Sequence, residues 1–271
     1  MKNYFENKIT NNQISFCLTN KPFIDEREIH SYHEILLYLE GDVELFAVNG
    51  HRNLKQPSIL IIPAESFHFL KPGKAPGFTR LKISFPVNIL ENTPLQEIMG
   101  EIKVIDNFSG GLKLICDKLY GILKTNEKNS AFHAYAAFLM LISELDMYDI
   151  DEDSYNHIQE NGVMNSIAEY ISDNLSGNLD IKSLAEIMHI SPSGITHMFK
   201  KEFGIPIHKY IMQKRLVYAK RLVESGEQLS KIYADAGFKD YSSFYKAYTN
   251  YFGYAPSKDK GKKDNIKSLE P

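Results

Sequence analysis

Cysteine is scarce in this chain. Of its 271 residues only Cys17 and Cys116 are cysteines, which excludes a disulfide framework and leaves the plain reading of two reduced thiols in a cytoplasmic protein. No Cys-x-x-Cys pair is present, so no zinc site of that kind is expected. Apolar residues never run unbroken for the roughly 18 positions that a membrane-crossing helix needs. The opening residues, Met1 to Lys8, lack the apolar core of an export signal. A phosphate-cradling glycine loop and a serine nucleophile elbow are missing too. Neither a catalytic residue set nor a cofactor is therefore expected.

A charge excess of one sign is absent, but only in the total. The formal net charge is −3, yet residues 1–160 carry 15 Lys+Arg against 22 Asp+Glu, and residues 161–271 carry 16 against 12. This asymmetry is the footprint of one part that contacts nucleic acid and one that does not. The length suggests two domains, and 43% hydrophobic residues suffice for two cores.

What is present is a repeat in the basic part. A short helix pattern holds Leu184, Ala185, Ile187 and Met188; a second holds Ile232, Ala234 and Ala236. Each is followed by a turn, at His189-Ile190 and at Gly237-Phe238. A cap-type residue comes next, Ser191 with Pro192 behind it, and Asp240. A second helix pattern follows each cap, with apolar Ile195, Met198 and Phe199, and with Phe244, Ala247 and Tyr248. Both end on aromatic-glycine stops, Phe203-Gly204 and Phe252-Gly253. The spacing is about 49 residues. Each unit is a helix-turn-helix, whose second helix can enter the DNA major groove. Ile207 to Val223 reads as a connecting helix of about 17 residues, roughly 26 Å long. That can hold two reading helices near one DNA turn, about 34 Å, apart.

Leu184-Ala185, Ser191-Pro192-Ser193, Phe199-Lys200-Lys201, Gly204, Arg215-Leu216, Ala219, Leu222, Ile232, Gly237-Phe238, Phe244, Gly253 and Pro256-Ser257 together resemble the DNA-binding domain of the AraC/XylS family of transcription regulators. Carried over by position, the resemblance implies base-facing Ser193, Thr196 and His197 in the first unit, and Ser242, Tyr245 and Lys246 in the second. Ser191, Lys200, Lys201 and Ser243 complete the expected DNA-binding set. The chain departs from the family pattern where Tyr233 replaces a small alanine, where Tyr248-Thr249-Asn250 replaces Phe followed by basic residues, and where His197 and Lys246 stand in place of a common arginine. Fewer phosphate contacts are expected from the second unit. The tail Lys258 to Lys263 reads either as added phosphate contacts or as a solvated end.

The first hundred residues read as short strands at Ile14–Leu18, Glu34–Glu40, Val43–Val48, Ser58–Ile62, Phe67–Leu70 and Thr79–Phe85, with Asn49-Gly50 as a hairpin turn. Such strands suggest a sandwich or small barrel. The run His30 to Gly41, then Asn49-Gly50, Ile61-Ile62-Pro63 and His68, resembles the cupin-like sensing domain found in front of that DNA-binding domain. Metal cupins carry two histidines two residues apart on one strand face. His30 and His33 are three apart, on opposite faces of an extended strand, so no metal site is expected. The resemblance implies instead a small-molecule effector inside the barrel, a sugar or related polar metabolite, met by residues among His33, Tyr38, Glu40 and His68.

Two amphipathic helix patterns follow. The first carries Leu112, Ile115, Cys116, Leu119, Ile122 and Leu123; the second starts at Ser130 as cap and carries Ala134, Ala137, Phe138, Met140, Leu141 and Leu145. They read as core packing or as a dimer contact. The acidic run Asp146 to Asp153 reads as a linker.

The expected fold is α+β with two domains. Residues 1–152 form a cupin-like β-barrel (about 10–105) with packed helices (about 108–148); 153–161 form a linker; 162–271 form an all-α domain with two helix-turn-helix units. The resemblance implies a sequence-specific activator of transcription with double-stranded promoter DNA, RNA polymerase and a second copy of the chain as partners. The alternatives are control by a protein partner instead of a small ligand, and, further off, a metal-dependent cupin enzyme.

Overall fold

The structure, a computed structural model, describes residues 4–260 except 12, 22–26, 28, 49, 56, 74–77, 92 and 149–161. The expected linker at 153–161 and the end of the basic tail lie outside the described residues. No described helix is long and apolar enough to cross a membrane.

Among the described residues the N-terminal half holds nine strands: β1 (Glu6–Asn11), β2 (Ile14–Thr19), β3 (Tyr32–Glu40), β4 (Val43–Ala47), β5 (Gly50–Asn53), β6 (Ser58–Ile62), β7 (His68–Pro72), β8 (Thr79–Pro86) and β9 (Lys103–Asp106). They make a six-stranded sheet, ordered β1-β2-β8-β3-β6-β9, and a three-stranded sheet, β5-β4-β7. All neighbours are antiparallel. The cupin-like arrangement is thus two packed sheets, and among the described residues no ladder closes them into a barrel. At one side the sheets are tied by side chains instead, where Arg52 of β5 pairs with Asp106 of β9.

Strand alternation decides what each face of the large sheet meets. Ile35 and Leu37 of β3, Ile59 and Ile61 of β6, and Leu81, Ile83 and Phe85 of β8 point to one side. There they pack against α1 (Gly110–Thr125) and α2 (Ser130–Met147), through Leu112, Leu119, Phe138 and Leu141. The other face, with Leu36, Tyr38, Leu60 and Ile62, packs against Val43, Leu45 and Leu70 of the small sheet. Strand β6 is covered on both sides and is apolar throughout after its first residue. The hairpin pairs Ala47 with Gly50, so Gly50 belongs to the strand and the turn falls one residue earlier than Asn49-Gly50 predicts. Helix α2 is capped at Asn129, not Ser130, which is buried at its first turn.

Among the described residues the C-terminal half holds six α-helices: α3 (Gly162–Asp173), α4 (Ile181–Ile187), α5 (Pro192–Phe203), α6 (Ile207–Glu224), α7 (Leu229–Asp235) and α8 (Tyr241–Phe252). Helices α4 and α5 form the first helix-turn-helix unit, α7 and α8 the second, and α6 joins them. The second unit has its own core, built on Ile232, Ala236, Phe244 and Tyr248 with Leu216 and Val223 of α6. The first unit does not. Its core of Phe199, Phe203 and Tyr210 continues into Ile29, Phe67 and Phe69 of the N-terminal half.

Candidate nucleic-acid interface

Local chemistry starts each reading helix. The Ser191 hydroxyl accepts the Gly194 N–H at 3.1 Å, with Pro192 at the first helical position, where no N–H partner is needed. Asp240 does the same for α8, accepting the Ser243 N–H at 2.8 Å. Gly204 and Gly253 end the two helices in the left-handed conformation, φ +67° and +77°. The tight turns also use left-handed residues, His189 (φ +54°) in the first unit and Gly237 (φ +78°) in the second.

Helical spacing then separates two faces. In α5, Ile195, Phe199 and Phe203 are buried, while Ser193, Thr196, His197, Lys200 and Lys201 are exposed. In α8, Phe244 and Tyr248 are buried, while Ser242, Ser243, Tyr245 and Lys246 are exposed. Each helix thus presents a polar, partly basic stripe to solvent, as a major-groove reader must. Met198, grouped by its spacing with the apolar face, is 40% exposed and lies on the solvent side. Tyr241, not singled out by the sequence, is 40% exposed and stands beside Tyr245, ring centroids 6.1 Å apart. Its position at the first residue of α8 was the available signal.

The expected residues differ in what they offer. Ser191 and Ser243 are committed to caps; the Ser243 hydroxyl also donates to Asp240 at 2.9 Å. They position helices. The Thr196 hydroxyl donates to the Pro192 carbonyl at 2.9 Å, so it offers a base edge only acceptor lone pairs. The long side chains of His197, Lys200, Lys201, Tyr245 and Lys246 extend from the exposed stripes.

The departures at Tyr233 and Tyr248 are accommodated by packing. Tyr233 packs at the rim of the second core, edge-on to Tyr241. Tyr248 is buried, and its hydroxyl donates to the buried Asp259 carboxylate at 2.5 Å. Asp259 therefore anchors the start of the basic tail, with Lys258 and Lys260 exposed on either side.

A second gathering of polar groups lies inside the sheet sandwich. The expected effector residues do not all reach it. His33 points to the helix-covered face, with its ring against Phe85, and its Nδ1 accepts the Ala64 N–H at 3.0 Å. Burial holds its pKa down at about 4. Glu40 is exposed at the end of β3, where Thr79 donates to it. Tyr38 and His68 do face the interior. Tyr38 is fully buried opposite Arg80 of β8. His68 meets His30, ring centroids 5.0 Å apart, and both stand beside Glu34, whose carboxylate also pairs with Lys82 at 3.4 Å. Burial lowers the pKa of His30 to about 3 and lowers that of His68. Burial pushes the Glu34 pKa up, but Lys82 and the two histidines outweigh it and hold the net value below the usual carboxylate range. The informative pair is His30 and Glu34: His30 precedes β3, where strand alternation does not apply, and its ring stands 3.8 Å from the Glu34 carboxylate.

The two halves meet along a seam. Phe67 lies edge-on to Phe203 and Tyr210, with centroids 5.4 and 5.3 Å away. On α6, Lys214 donates to the Glu65 carbonyl at 2.9 Å and Arg221 pairs with the Glu65 carboxylate at 3.1 Å. Tyr251 of α8 donates to the Ile29 carbonyl at 3.2 Å. The N-terminal half therefore touches both reading helices on their inner sides and leaves both polar stripes exposed.

Residues 184–261 match the family model of a helix-turn-helix domain. Over most of its length the chain is similar to the Msm operon regulatory protein of Streptococcus mutans, 24% identical over 243 residues, which are 85% of this chain and 84% of that relative. It is likewise similar to the uncharacterized HTH-type transcriptional regulator YobQ of Bacillus subtilis, 27% identical over 229 residues, 84% of this chain and 85% of the relative. The multiple antibiotic resistance protein MarA of Escherichia coli is 30% identical over 96 residues, 35% of this chain and 76% of MarA.

Proposed function

This chain belongs to the AraC/XylS family of transcription regulators, and from that premise we propose that it is a sequence-specific activator that reads two successive major-groove segments of promoter DNA. The observation that carries the reading is the pair of 12-residue helices, α5 and α8, which expose matching polar stripes at either end of one connecting helix. Thr196 and His197 read bases in the first segment, and Ser242, Tyr245 and Lys246 in the second. Lys200 and Lys201 hold phosphates. The N-terminal half is the input domain, with the boundary at 153–161. It takes a polar small molecule, a sugar in the first instance, on the interior face that carries Tyr38, Arg80 and His68. The chain works in the cytoplasm, without catalysis, and passes its signal to RNA polymerase. It acts as a dimer. The outer faces of α1 and α2 favour this, because Leu114 (71% exposed), Phe132 (64%) and Met140 (52%) are left in solvent there.

Fluorescence anisotropy of the full chain on DNA from upstream of its own gene, against scrambled DNA at several salt concentrations, tests the reading. Thr196→Ala or His197→Ala is expected to weaken binding to the native fragment by about 1–3 kcal/mol and to spare the scrambled one. Lys200→Ala is expected to weaken both alike and to flatten the salt slope by about 1. Equal binding of native and scrambled DNA at every salt concentration would sink the proposal.

A further inference from the structure

His30, Glu34 and His68 are buried together, and one ligand-type atom of each lies within 4.8 Å of the other two. The orientation of the two imidazoles is decided by their backbone partners. His30 Nδ1 stands 2.7 Å from the Tyr32 carbonyl, and His68 Nδ1 stands 3.2 Å from the Ser66 carbonyl. A carbonyl oxygen only accepts, so each Nδ1 carries the proton and each Nε2 presents a lone pair. His30 Nε2 has no hydrogen-bond partner although it is buried. It faces the Glu34 carboxylate at 3.8 Å, one acceptor against another. A bare imidazole nitrogen facing a carboxylate in a buried space is unfavourable unless a cation sits between them, and Lys82 reaches the carboxylate alone, at 3.4 Å.

We infer that His30, Glu34 and His68 bind a late first-row transition-metal dication of the Zn2+ type. Two imidazoles and one carboxylate are the donor set such ions take, with a fourth position left open. Nδ1–H bonds to backbone carbonyls are the outer partners that fix metal-binding histidines. Tetrahedral ligand atoms at metal distances of about 2.0–2.2 Å lie about 3.4 Å apart, so the observed spacing closes with shifts of under about an ångström per side chain. Lys82 is the competing cation. Its side chain is 36% exposed and can turn to solvent when the metal takes the carboxylate, which also marks the way in.

The site has a route to the DNA-binding half. The loop that follows β6 carries two of its supports and the link to α6: the Glu65 N–H donates to the His30 carbonyl at 2.7 Å, Ser66 holds His68, and the Glu65 carbonyl and carboxylate hold Lys214 and Arg221 of α6. Glu65 sits at φ +64°, a conformation that a non-glycine residue keeps only when its surroundings impose it. Metal binding fixes His30 and His68, hence this loop, hence the seating of the helix that joins the two readers. The coupling rests on the DNA-binding reading; the metal site does not.

The test uses the full chain, stripped with a chelator. It is titrated with Zn2+ against a chromophoric chelator, and with Co2+ followed by its visible absorption. One equivalent should bind, with a four-coordinate Co2+ spectrum. Glu34→Gln, close in shape to the native residue, and His68→Ala should each lose more affinity than the roughly 10–100-fold that removal of an outer partner costs. His133→Ala, exposed on α2, should bind as the native chain does. Absence of stoichiometric binding by the native chain, or unchanged binding by folded Glu34→Gln and His68→Ala, overturns the site. The DNA affinity of the native chain should then shift several-fold on adding Zn2+, and that of Glu34→Gln should not. Stoichiometric metal binding with unchanged DNA affinity overturns the route through Glu65 and leaves the site standing.

Discussion

Glycine at 237 and glycine at 253 look alike on paper, since both are left-handed, at φ +78° and +77°. Their surroundings differ. A Cβ at Gly253 meets nothing within 4 Å, whereas one at Gly237 would stand 2.0 Å from the Leu175 carbonyl and 2.7 Å from Arg215 Nε. Arg215 itself donates to the Leu175 and Gly177 carbonyls, both at 2.9 Å, so the chain before α4 and the turn between α7 and α8 are held together at this point. Gly253→Ala should therefore lose only the conformational cost, about 1–2 kcal/mol. Gly237→Ala should lose clearly more, and should loosen the contact between the two units. Urea unfolding of both variants measures the difference, and equal losses would show that the Arg215 contact does not constrain the turn. The same scale explains Tyr248. A hydroxyl inside a core costs stability unless it is bonded, and Asp259 supplies the acceptor from beyond the helix. Nothing in the local sequence around Tyr248 announces that partner.

Among the elements, those with local signals were legible. Ser191-Pro192, Asp240 and the two aromatic-glycine stops bound α5 and α8 to the residue, because capping is chemistry between neighbours in the chain. Strands β1 and β9 were not foreseen. Glu6–Asn11 carries one buried apolar residue, Ile9, and Lys103–Asp106 only two, so their periodicity is too faint to read. Each becomes a strand because a neighbouring edge, β2 or β6, takes up its backbone groups. Helices α1 and α2 show a third case. Most of their grouped apolar residues are core, but Met140, which its spacing groups with them, is exposed, as are Phe132 and Met147 along α2, near one stripe of roughly seven-residue spacing. The proposed dimer places a second copy there. Sedimentation velocity should find a dimer for the native chain and a monomer for Phe132→Glu with Met140→Glu. A dimer that survives both changes would move the contact elsewhere.

At the scale of the molecule, the core of the first helix-turn-helix unit is shared between the two halves, with Phe67 seated against Phe203 and Tyr210. Phe67→Ala should cost about 3–5 kcal/mol, as large-to-small changes in a core do. It should also uncouple the halves, so that one calorimetric transition becomes two. A single transition at an unchanged midpoint would mean that the seam contributes nothing to stability. In the proposed regulator the seam is also where the N-terminal half would act on the DNA-binding half. It reaches α6 through Glu65 and α8 through Ile29, so any change in the loop after β6 acts on the relative placement of the two reading helices. A ligand alters that placement only so far as it binds one arrangement better than another.

The sequence by itself determined the paired helix-turn-helix units, the exposed polar stripes of their second helices, and the cupin-like run of strands, because caps, helical spacing and strand alternation act over a few residues. Only the tertiary structure decided three other matters. It set which strand faces look inward, placing Tyr38 and His68 inside and excluding His33 and Glu40. It brought His30 and Glu34 to His68, which lies more than thirty residues further along the chain. It joined the two halves through Phe67 and Glu65. Each of these depends on contacts between residues far apart in the chain, and such contacts are settled by the packing of whole sheets and helices, which no local pattern encodes.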